Sequence, residues 1–427
     1  MNLKKYIIAL LLASSLEAKT TVLNIDDIVE ITLKHSPDIE VSMFNFQAAK
    51  ERTRASKSFY LPSVDLHSVT GKQWSKQSDG RDVNVDVLSG TLGATQLLYD
   101  FGKTEGLVVS SKEQALALKA QMQQIVSDKI YVVKNLYYNV LKAKSIIVVQ
   151  KKNLVLQKQQ LNRAKKYLTA GIKTIIDVSD AEVRVEQAKL DLENAQYDLE
   201  IQRASLEQEM GFVPNYGKYS LYRKELPLPN LSNSLPRVSL NVSQLELFAY
   251  AHRYILQNSK HIVNSFKSHV NSKRADYYPT LSLGANYTAQ DVDNNILIPK
   301  EQGEVAINLS WNLFSGYKTD AEVQEAKIEV LKASTQVNTI KLAIKREVLE
   351  AHIGLRRSKK SVELSETISK SSEKKYEQAK KRYENELSDY IELQEAQQGY
   401  IESLSNLVNT YYNYYISMAQ LDHAVGR

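Results

Sequence analysis

The sequence contains no cysteine, which excludes disulfides, thiolate metal sites and a lipid-modified N-terminal cysteine. No stretch reaches the ~18 apolar residues of a transmembrane helix, so any crossing of a bilayer is left to β-strands. Glycine and proline are sparse, 15 and 8 in 427 residues. Catalytic patterns are missing as well. The seven histidines are scattered: His35 and His252 suit the packing of short helices, and no two stand at metal-ligand spacing. Gly102-Lys103-Thr104 resembles the end of a phosphate loop, but Leu97 occupies the place of its first glycine. No spacing suggests a Ser-His-Asp triad or a glycine-rich nucleotide site. The expectation is a protein that is not an enzyme, with no cofactor and no metal. The net charge of +6 arises from 55 basic and 49 acidic side chains interleaved on helices, the pattern of a solvated face and not of a nucleic-acid surface.

What is present begins with two rods. Residues 104–169 hold one glycine, Gly106, and no proline. Leu118, Met122, Ile125, Val132, Leu136 and Val140 recur there at steps of three, four or seven, the stripe of a coiled coil. A second rod covers 319–385, with Gly354 as its only glycine. Each would be about 100 Å long at ~1.5 Å per residue. Ahead of both, the apolar run Tyr6 to Leu12 follows Lys4 and Lys5 and precedes Ala13, Ser14 and Ser15. Residues 1–18 therefore read as a signal peptide cleaved near Ala18, and the mature chain is expected to be exported.

The chain repeats itself. Ala164-Lys165-Lys166 matches Ala379-Lys380-Lys381 at an offset of 215, and the same offset pairs Asp177 with Glu392, Asp180 with Glu395 and Gly211 with Gly426. Nearer the N-terminus the offset is 217, pairing His35 with His252 and Pro62 with Pro279. The first repeat, 19–211, is predicted to hold helices over 26–35, 38–60, 104–169 and 174–210, with strands over 62–74 and 83–98. The second, 241–427, is predicted to hold helices over 243–252, 255–277, 319–385 and 390–424, with strands over 279–290 and 303–314. Residues 212–240, with Pro214, Pro227, Pro229 and Pro236, read as an irregular linker. Pro62 and Pro279 end the preceding helices, and beyond them the period changes to two. Leu281, Leu283, Ala285 and Tyr287 alternate with polar residues, as do Val305, Ile307, Leu309 and Trp311. The first-repeat strands lose phase near Val87-Leu88, where a bulge or a twist is expected.

Four strands of this length match the ~9 to 11 residues that cross a bilayer at a tilt, yet four cannot close, and an open edge is not tolerated in lipid. Closure by copies is implied, and three chains would give 12 strands. All four strand-helix junctions carry aromatics, Phe59 and Tyr60, Tyr99 and Phe101, Tyr277 and Tyr278, Phe314 and Tyr317. These fit a membrane-interface girdle, with packing at a sheet edge as the plainer reading. The Tyr411 to Tyr415 cluster reads as core packing.

The order of these elements within the duplication carries a resemblance, together with Tyr-Leu-Pro-Ser at Tyr60 to Ser63 and Tyr-Pro-Thr-Leu at Tyr278 to Leu281. Leu-Tyr-Asp-Phe-Gly at Leu98 to Gly102 stands beside Leu-Phe-Ser-Gly at Leu313 to Gly316. The chain resembles TolC-type outer-membrane efflux proteins. The resemblance implies an α+β fold in which long coiled-coil hairpins form an α-barrel and trimerisation completes a transmembrane antiparallel β-barrel. It implies a homotrimer in outer-membrane lipid, projecting into the periplasm, a passive duct of tripartite efflux or type I secretion that works with a periplasmic adaptor protein and an inner-membrane transporter, without nucleic acid. It also implies a periplasmic gate at the helix turns: an acidic pair at Glu392 and Glu395, its first-repeat mates Asp177 and Asp180, and Tyr383. The family's gate arginine is replaced by Ser388, leaving Lys173 as a substitute. From the residues alone, Glu392 and Glu395 at i and i+3 would stack two carboxylate rings under threefold symmetry, or merely complement a helix N-terminus. A periplasmic coiled-coil adaptor or scaffold is the alternative; it would not need the long alternating hairpins.

Overall fold

The computed structural model describes residues 21–76, 82–172, 174–212, 219–222, 231–236, 241–292, 300–385 and 387–427. The signal segment, the gate candidate Lys173, the linker residues Pro214, Pro227 and Pro229, and the hairpin tips at 77–81 and 293–299 lie outside them. Among the described residues no helix is long and apolar enough to cross a membrane.

In the first repeat, β1 (Thr21–Leu23), α1 (Ile25–His35) and α2 (Pro37–Lys57) are followed by β2 (Ser63–Lys76) and β3 (Asp82–Tyr99), then by α3 (Lys103–Thr169) and α4 (Ile175–Glu209). After β4 (Tyr219–Leu221) the series recurs as α5 (Val242–His252), α6 (Tyr254–Ala275), β5 (Thr280–Val292), β6 (Glu301–Ser310), α7 (Lys318–Glu384) and α8 (Tyr390–Val425). Both long helices have 67 residues. The differences from expectation are local. The end of the predicted 38–60 helix is a 3-10 turn at Ser58–Tyr60. The last strand stops at Ser310 and not at Phe314. The linker is less irregular than its prolines suggest, because β4 pairs in parallel with β1 and a 3-10 turn forms at Ser232–Ser234.

The chain divides into two compact units, each drawing on both repeats. One comprises the chain up to Glu40, Gln124–Arg253 and Leu342–Arg427; the other comprises Val41–Gln123 and Tyr254–Lys341.

In the first unit the two helix-turn-helix hairpins share a core plan. Ala164, Val178 and Ala181 are buried together between α3 and α4, and their repeat mates Ala379, Leu393 and Ala396 between α7 and α8. Three apolar positions of the first hairpin, Leu161, Leu168 and Val185, become Tyr376, Tyr383 and Tyr400 in the second. The helix ends meet at small residues. Gly211 takes φ of +79° and packs so tightly that an added Cβ would lie 2.3 Å from the His35 carbonyl oxygen. Its mate Gly426, φ +84°, meets His252 at a looser 3.2 Å. Lys129 on α3 bridges Asp38 and Glu209, each at 2.6 Å, tying the first turn of α2 to the last turn of α4. In the second repeat Arg253 does the comparable work, bonding Glu347 and the Ala424 carbonyl, both at 2.9 Å. The Tyr411–Tyr415 group is indeed core: Tyr411, Tyr412 and Tyr414 are buried, and the Tyr414 hydroxyl donates to the Pro236 carbonyl, which anchors the linker.

In the second unit the four long strands form one sheet in the order β2-β3-β5-β6, antiparallel throughout. The β2–β3 register runs unbroken from Ser63↔Thr95 to Lys76↔Asp82. Of the bulge or twist expected near Val87-Leu88, the bulge is therefore absent; the register shift lies between Leu97 and Tyr99 on the β5 side. Below the sheet, α3 and α6 approach closely. Gly106 lies where a Cβ would meet the Ser272 nitrogen at 2.7 Å, and Ser110 and Ser265 bond one another at 2.9 Å.

Candidate functional site

Two regions carry the chemistry, the sheet and the helix turns.

In the sheet, the register sorts residues onto two faces. Val64 and Leu66 of β2, Leu92 of β3, Leu283 of β5 and Val305 and Ile307 of β6 share one face through the pairs Leu66↔Leu92, Ala285↔Val305 and Leu283↔Ile307, and all six are exposed. The other face is polar, with Asp65, His67, Asn286 and Glu304, and Thr91 and Thr288 bond across it at 3.0 Å. On β2 this face holds Val64, Leu66 and Trp74, with Ser68, Thr70 and Lys72 between them and Lys72 paired with Asp86 at 3.7 Å; on β5 it is apolar at every position from Leu281 to Ala289. That length of strand at ~3.3 Å per residue, tilted by ~40°, rises about 23 Å, close to the ~25 Å apolar band of an outer-membrane barrel.

All eight junction aromatics are exposed. Tyr99 meets Phe101 edge-on at 4.7 Å, Phe101 stacks on Tyr278 at 5.0 Å, and Phe314 meets Tyr317 at 5.7 Å. Trp311, just past the shortened β6, donates its indole N–H to the Tyr277 carbonyl at 3.1 Å. Rings with a wet polar tip on an apolar body suit a lipid-water boundary. The strand-to-helix turns hold them by an unusual backbone. Phe101 and Gly102 both have positive φ, 52° and 88°, and so do Gly316 and Tyr317, 62° and 65°. Ahead of each pair a short polar side chain caps the helix: Asp100 accepts from the Gly102 and Thr104 amides at 3.2 and 2.7 Å, and Ser315 from the Thr319 amide at 3.3 Å.

At the helix turns, the acidic candidates have different surroundings. Asp177 closes the N-terminus of α4, accepting from the Thr174 amide at 2.9 Å and its hydroxyl at 2.8 Å. Asp180 and Glu395 are exposed. The Glu392 amide donates to the Asp389 cap at 2.9 Å, while its carboxylate lies 3.5 Å from Arg382. Tyr383 is buried among Ala379, Leu393 and Tyr400, with Tyr390 at 6.1 Å and Tyr167 at 6.4 Å. Burial pushes the Tyr383 hydroxyl above its usual range. Ser388 has a buried Oγ without a hydrogen-bond partner among the described residues.

A guanidinium does stand near these turns, on the other hairpin. Arg163 on α3 donates to Glu384 at the end of α7, 2.9 Å away, and lies 5.9 Å from the Tyr383 ring centre. Its other amino group, Nη1, is buried without a partner among the described residues. This contact joins the two hairpins near their turns. Its repeat mates would be Gln378 and Thr169, so it occurs once per chain. Sequence reasoning missed Arg163; the one available signal was an arginine close to the end of the first rod.

Among the described residues no group of His, Cys, Asp or Glu is placed to hold a metal ion. A sheet with one lipid-compatible face and one wet face, joined by short turns to long helical hairpins, places the chain in the class of outer-membrane channel subunits. The chain belongs to the outer membrane efflux protein family, whose model matches residues 28–211 and 249–427, one segment per repeat. No curated protein sequence matches it. Several solved channels share its fold. The CmeC outer membrane channel of Campylobacter jejuni is 16% identical, with 97% of this chain and 90% of that one covered and a TM-score of 0.81. VceC of Vibrio cholerae is 18% identical over 94% and 96%, TM-score 0.76. The open state of the MtrE channel of Neisseria gonorrhoeae is 16% identical over 97% and 93%, TM-score 0.76.

Proposed function

We propose that the protein is a passive exit duct of a tripartite efflux or type I secretion system, active as a homotrimer and fed by an inner-membrane transporter through a periplasmic adaptor protein. The observation that carries this reading is the four-stranded sheet with two free edges. Its strands alternate in direction, so β6 runs opposite to β2, and pairing β6 of one copy with β2 of the next continues the alternation. Three copies make an even, all-antiparallel 12-stranded barrel without an edge, which is what the hydrocarbon layer demands. The apolar face then meets outer-membrane lipid, the polar face lines the pore, and the eight junction aromatics sit at the interface.

At the helix turns, Glu392 and Glu395, with Asp180, line a constriction that Tyr383, Ser388 and Arg163 hold narrow. Asp177 is assigned to the helix cap. The carboxylates concentrate cations there. CmeC and MtrE, by name outer membrane channels, support the channel reading by their fold. Purified protein reconstituted in a planar bilayer is expected to give discrete conductance steps. Partition into the soluble periplasmic fraction without detergent would defeat the reading and favour a soluble adaptor.

A further inference from the structure

In the unit that holds the helix turns, α3 lies between α4 and α8. Lys165 on α3 pairs with Glu182 on α4 at 2.9 Å, and Ser145 on α3 bonds Tyr412 on α8 at 3.1 Å. A groove runs along α3 with α4 and α8 as its banks. It consists of two hollows, of about 500 and 610 Å³, that share Gln150 and Ser405. From Asn139 to Gln157 it follows α3 for about 27 Å at ~1.5 Å per residue.

The groove has a defined side. The Tyr137 hydroxyl donates to the Tyr222 carbonyl at 2.8 Å and the Tyr414 hydroxyl to the Pro236 carbonyl, so the segment between the repeats covers one face of α3 and α8. Ile146 and Ser405 line the groove, each nine residues from its tyrosine. Nine residues make about two and a half helical turns, which puts the groove on the opposite face. A linker inside the bore of the proposed duct would obstruct it, so the groove face is the one that lines the bore.

Its chemistry is dominated by amides. Asn or Gln supply seven of the thirteen lining residues in one hollow and four of the ten in the other, Gln150 counting in both. Of these, Asn139, Gln187 and Gln398 donate to a neighbouring side chain; the rest have no side-chain hydrogen bond among the described residues. Gln150 Oε1, where the hollows meet, is shielded from solvent and also lacks a partner there. Each hollow carries charge of both signs. Lys142 and Asp198 line the larger, neither with an ion-pair partner among the described residues, and burial pushes Lys142 below its usual range. Arg184, Asp191 and Glu402 line the other. Among the described residues no aromatic ring lines either hollow; the apolar lining is alanine and isoleucine.

This lining discriminates between ligand classes. An aromatic solute or a sugar ring finds no face to stack on, and an ion of one sign meets carboxylates and bases together. An extended peptide presents an N–H and a C=O at each residue, and Asn and Gln side chains carry the same donor and acceptor. At ~3.3 Å per residue the groove takes about eight residues.

We propose that the groove is a binding track for an extended hydrophilic peptide inside the duct, its main chain bonded by Gln150 and the surrounding amides and its charged side chains met by Lys142 and Asp198. The proposal rests on the duct reading for its place in the bore and adds the class of cargo. Hydrogen bonds exchanged for water are individually weak, so such a track holds a chain loosely and lets it slide.

The test uses the full-length protein in detergent and an octapeptide of Ser and Gly with one Lys, one Glu and one aliphatic diazirine side chain. After irradiation, saturable labelling of groove residues on α3, α4 and α8 is expected by mass spectrometry. Excess unlabelled octapeptide should displace the label, and excess maltoheptaose or ethidium should not. Lys142→Gln combined with Asp198→Asn should lower labelling at subsaturating peptide about tenfold, with helical content unchanged by circular dichroism. An octapeptide with Ser in place of its Lys and Glu should label the wild type at that lowered level and lose nothing further in the variant. Labelling outside the groove only, labelling that never saturates, displacement by maltoheptaose or ethidium, or equal labelling of variant and wild type would overturn the track and leave the duct standing. Saturable groove labelling of a protein that gives no conductance steps in bilayers would instead overturn the duct reading and the track's place in a bore.

Discussion

Removing Arg163 should loosen the closed end of the duct. The Arg163–Glu384 pair is 2.9 Å long with side chains 29% and 39% exposed, so it lies between a surface and a buried ion pair. An exposed pair contributes about 0.2–1 kcal/mol, and the approach to Tyr383 adds an exposed-site cation–π contact of about 0.5–1 kcal/mol. Discounting for solvent leaves about 1 kcal/mol per copy. Glu384 remains hydrated when its partner goes, so no orphaned-charge penalty enlarges the figure. If three copies open together, the open-to-closed ratio rises about a hundredfold, since three such contributions make about 3 kcal/mol and each 1.4 is a factor of ten. Single-channel recording of Arg163→Ala in planar bilayers should therefore show a higher resting conductance. Arg163→Lys, which keeps the charge and loses the planar fork, should fall between. A resting conductance in Arg163→Ala equal to the wild type, with the helical content of both unchanged by circular dichroism, would refute the reasoning.

Further outcomes follow from other contacts. Replacing Glu392 and Glu395 together by Gln should weaken block of the channel by multivalent cations, measured in the same bilayers; unchanged block would remove the carboxylate ring. Gly211→Ala and Gly426→Ala both place a side chain at positive φ, at about 1–2 kcal/mol each, but only the first drives Cβ into a carbonyl oxygen, for about 1–3 kcal/mol more. Thermal melts in detergent should rank Gly211→Ala clearly lower, and equal melting points would argue against the tight contact. Asp422 is held above its usual carboxylate range by burial. Its charged form is thus penalised in the folded state, a penalty absent below the unfolded value of about 3.9 and complete once pH exceeds the raised folded value. Asp422→Asn should accordingly stabilise the protein near pH 7 and make no difference near pH 3, as measured by denaturant midpoints.

The order of helices and strands was readable because it rests on short-range rules. Gly106 and Gly354 alone interrupt rods otherwise free of helix breakers, Pro62 and Pro279 mark the change of period, and the alternation from Leu281 to Tyr287 fixes which face of β5 is apolar. Features that depend on distant pairing were not readable. The parallel pair of β1 and β4 is only three residues long, too short to leave a pattern, and it is decided by residues such as Thr21 and Tyr219 that meet only after folding. Arg163 and Glu384 are separated by 221 residues. The phase break at Val87 looked like a bulge because a valine stands on the polar face; the backbone carries on, and the true irregularity at Leu97 and Tyr99 is hidden inside an apolar run. At the turns the family pattern pointed to Ser388, whereas the arginine contact found there, Arg163 with Glu384, crosses between the two hairpins.

The strand-to-helix turns also record a history. One copy reads Phe101-Gly102 and the other Gly316-Tyr317, the same two left-handed positions with glycine exchanged. After duplication, single replacements could pass from one arrangement to the other only through two glycines or through two side chains. The second intermediate strains both positions at about 1–2 kcal/mol each, whereas the first costs chain entropy and one aromatic ring. Descent through a glycine pair is therefore the easier path. A turn of that kind tolerates an aromatic on either side, so an ancestral single-repeat protein could acquire its membrane-facing ring after its backbone was already fixed.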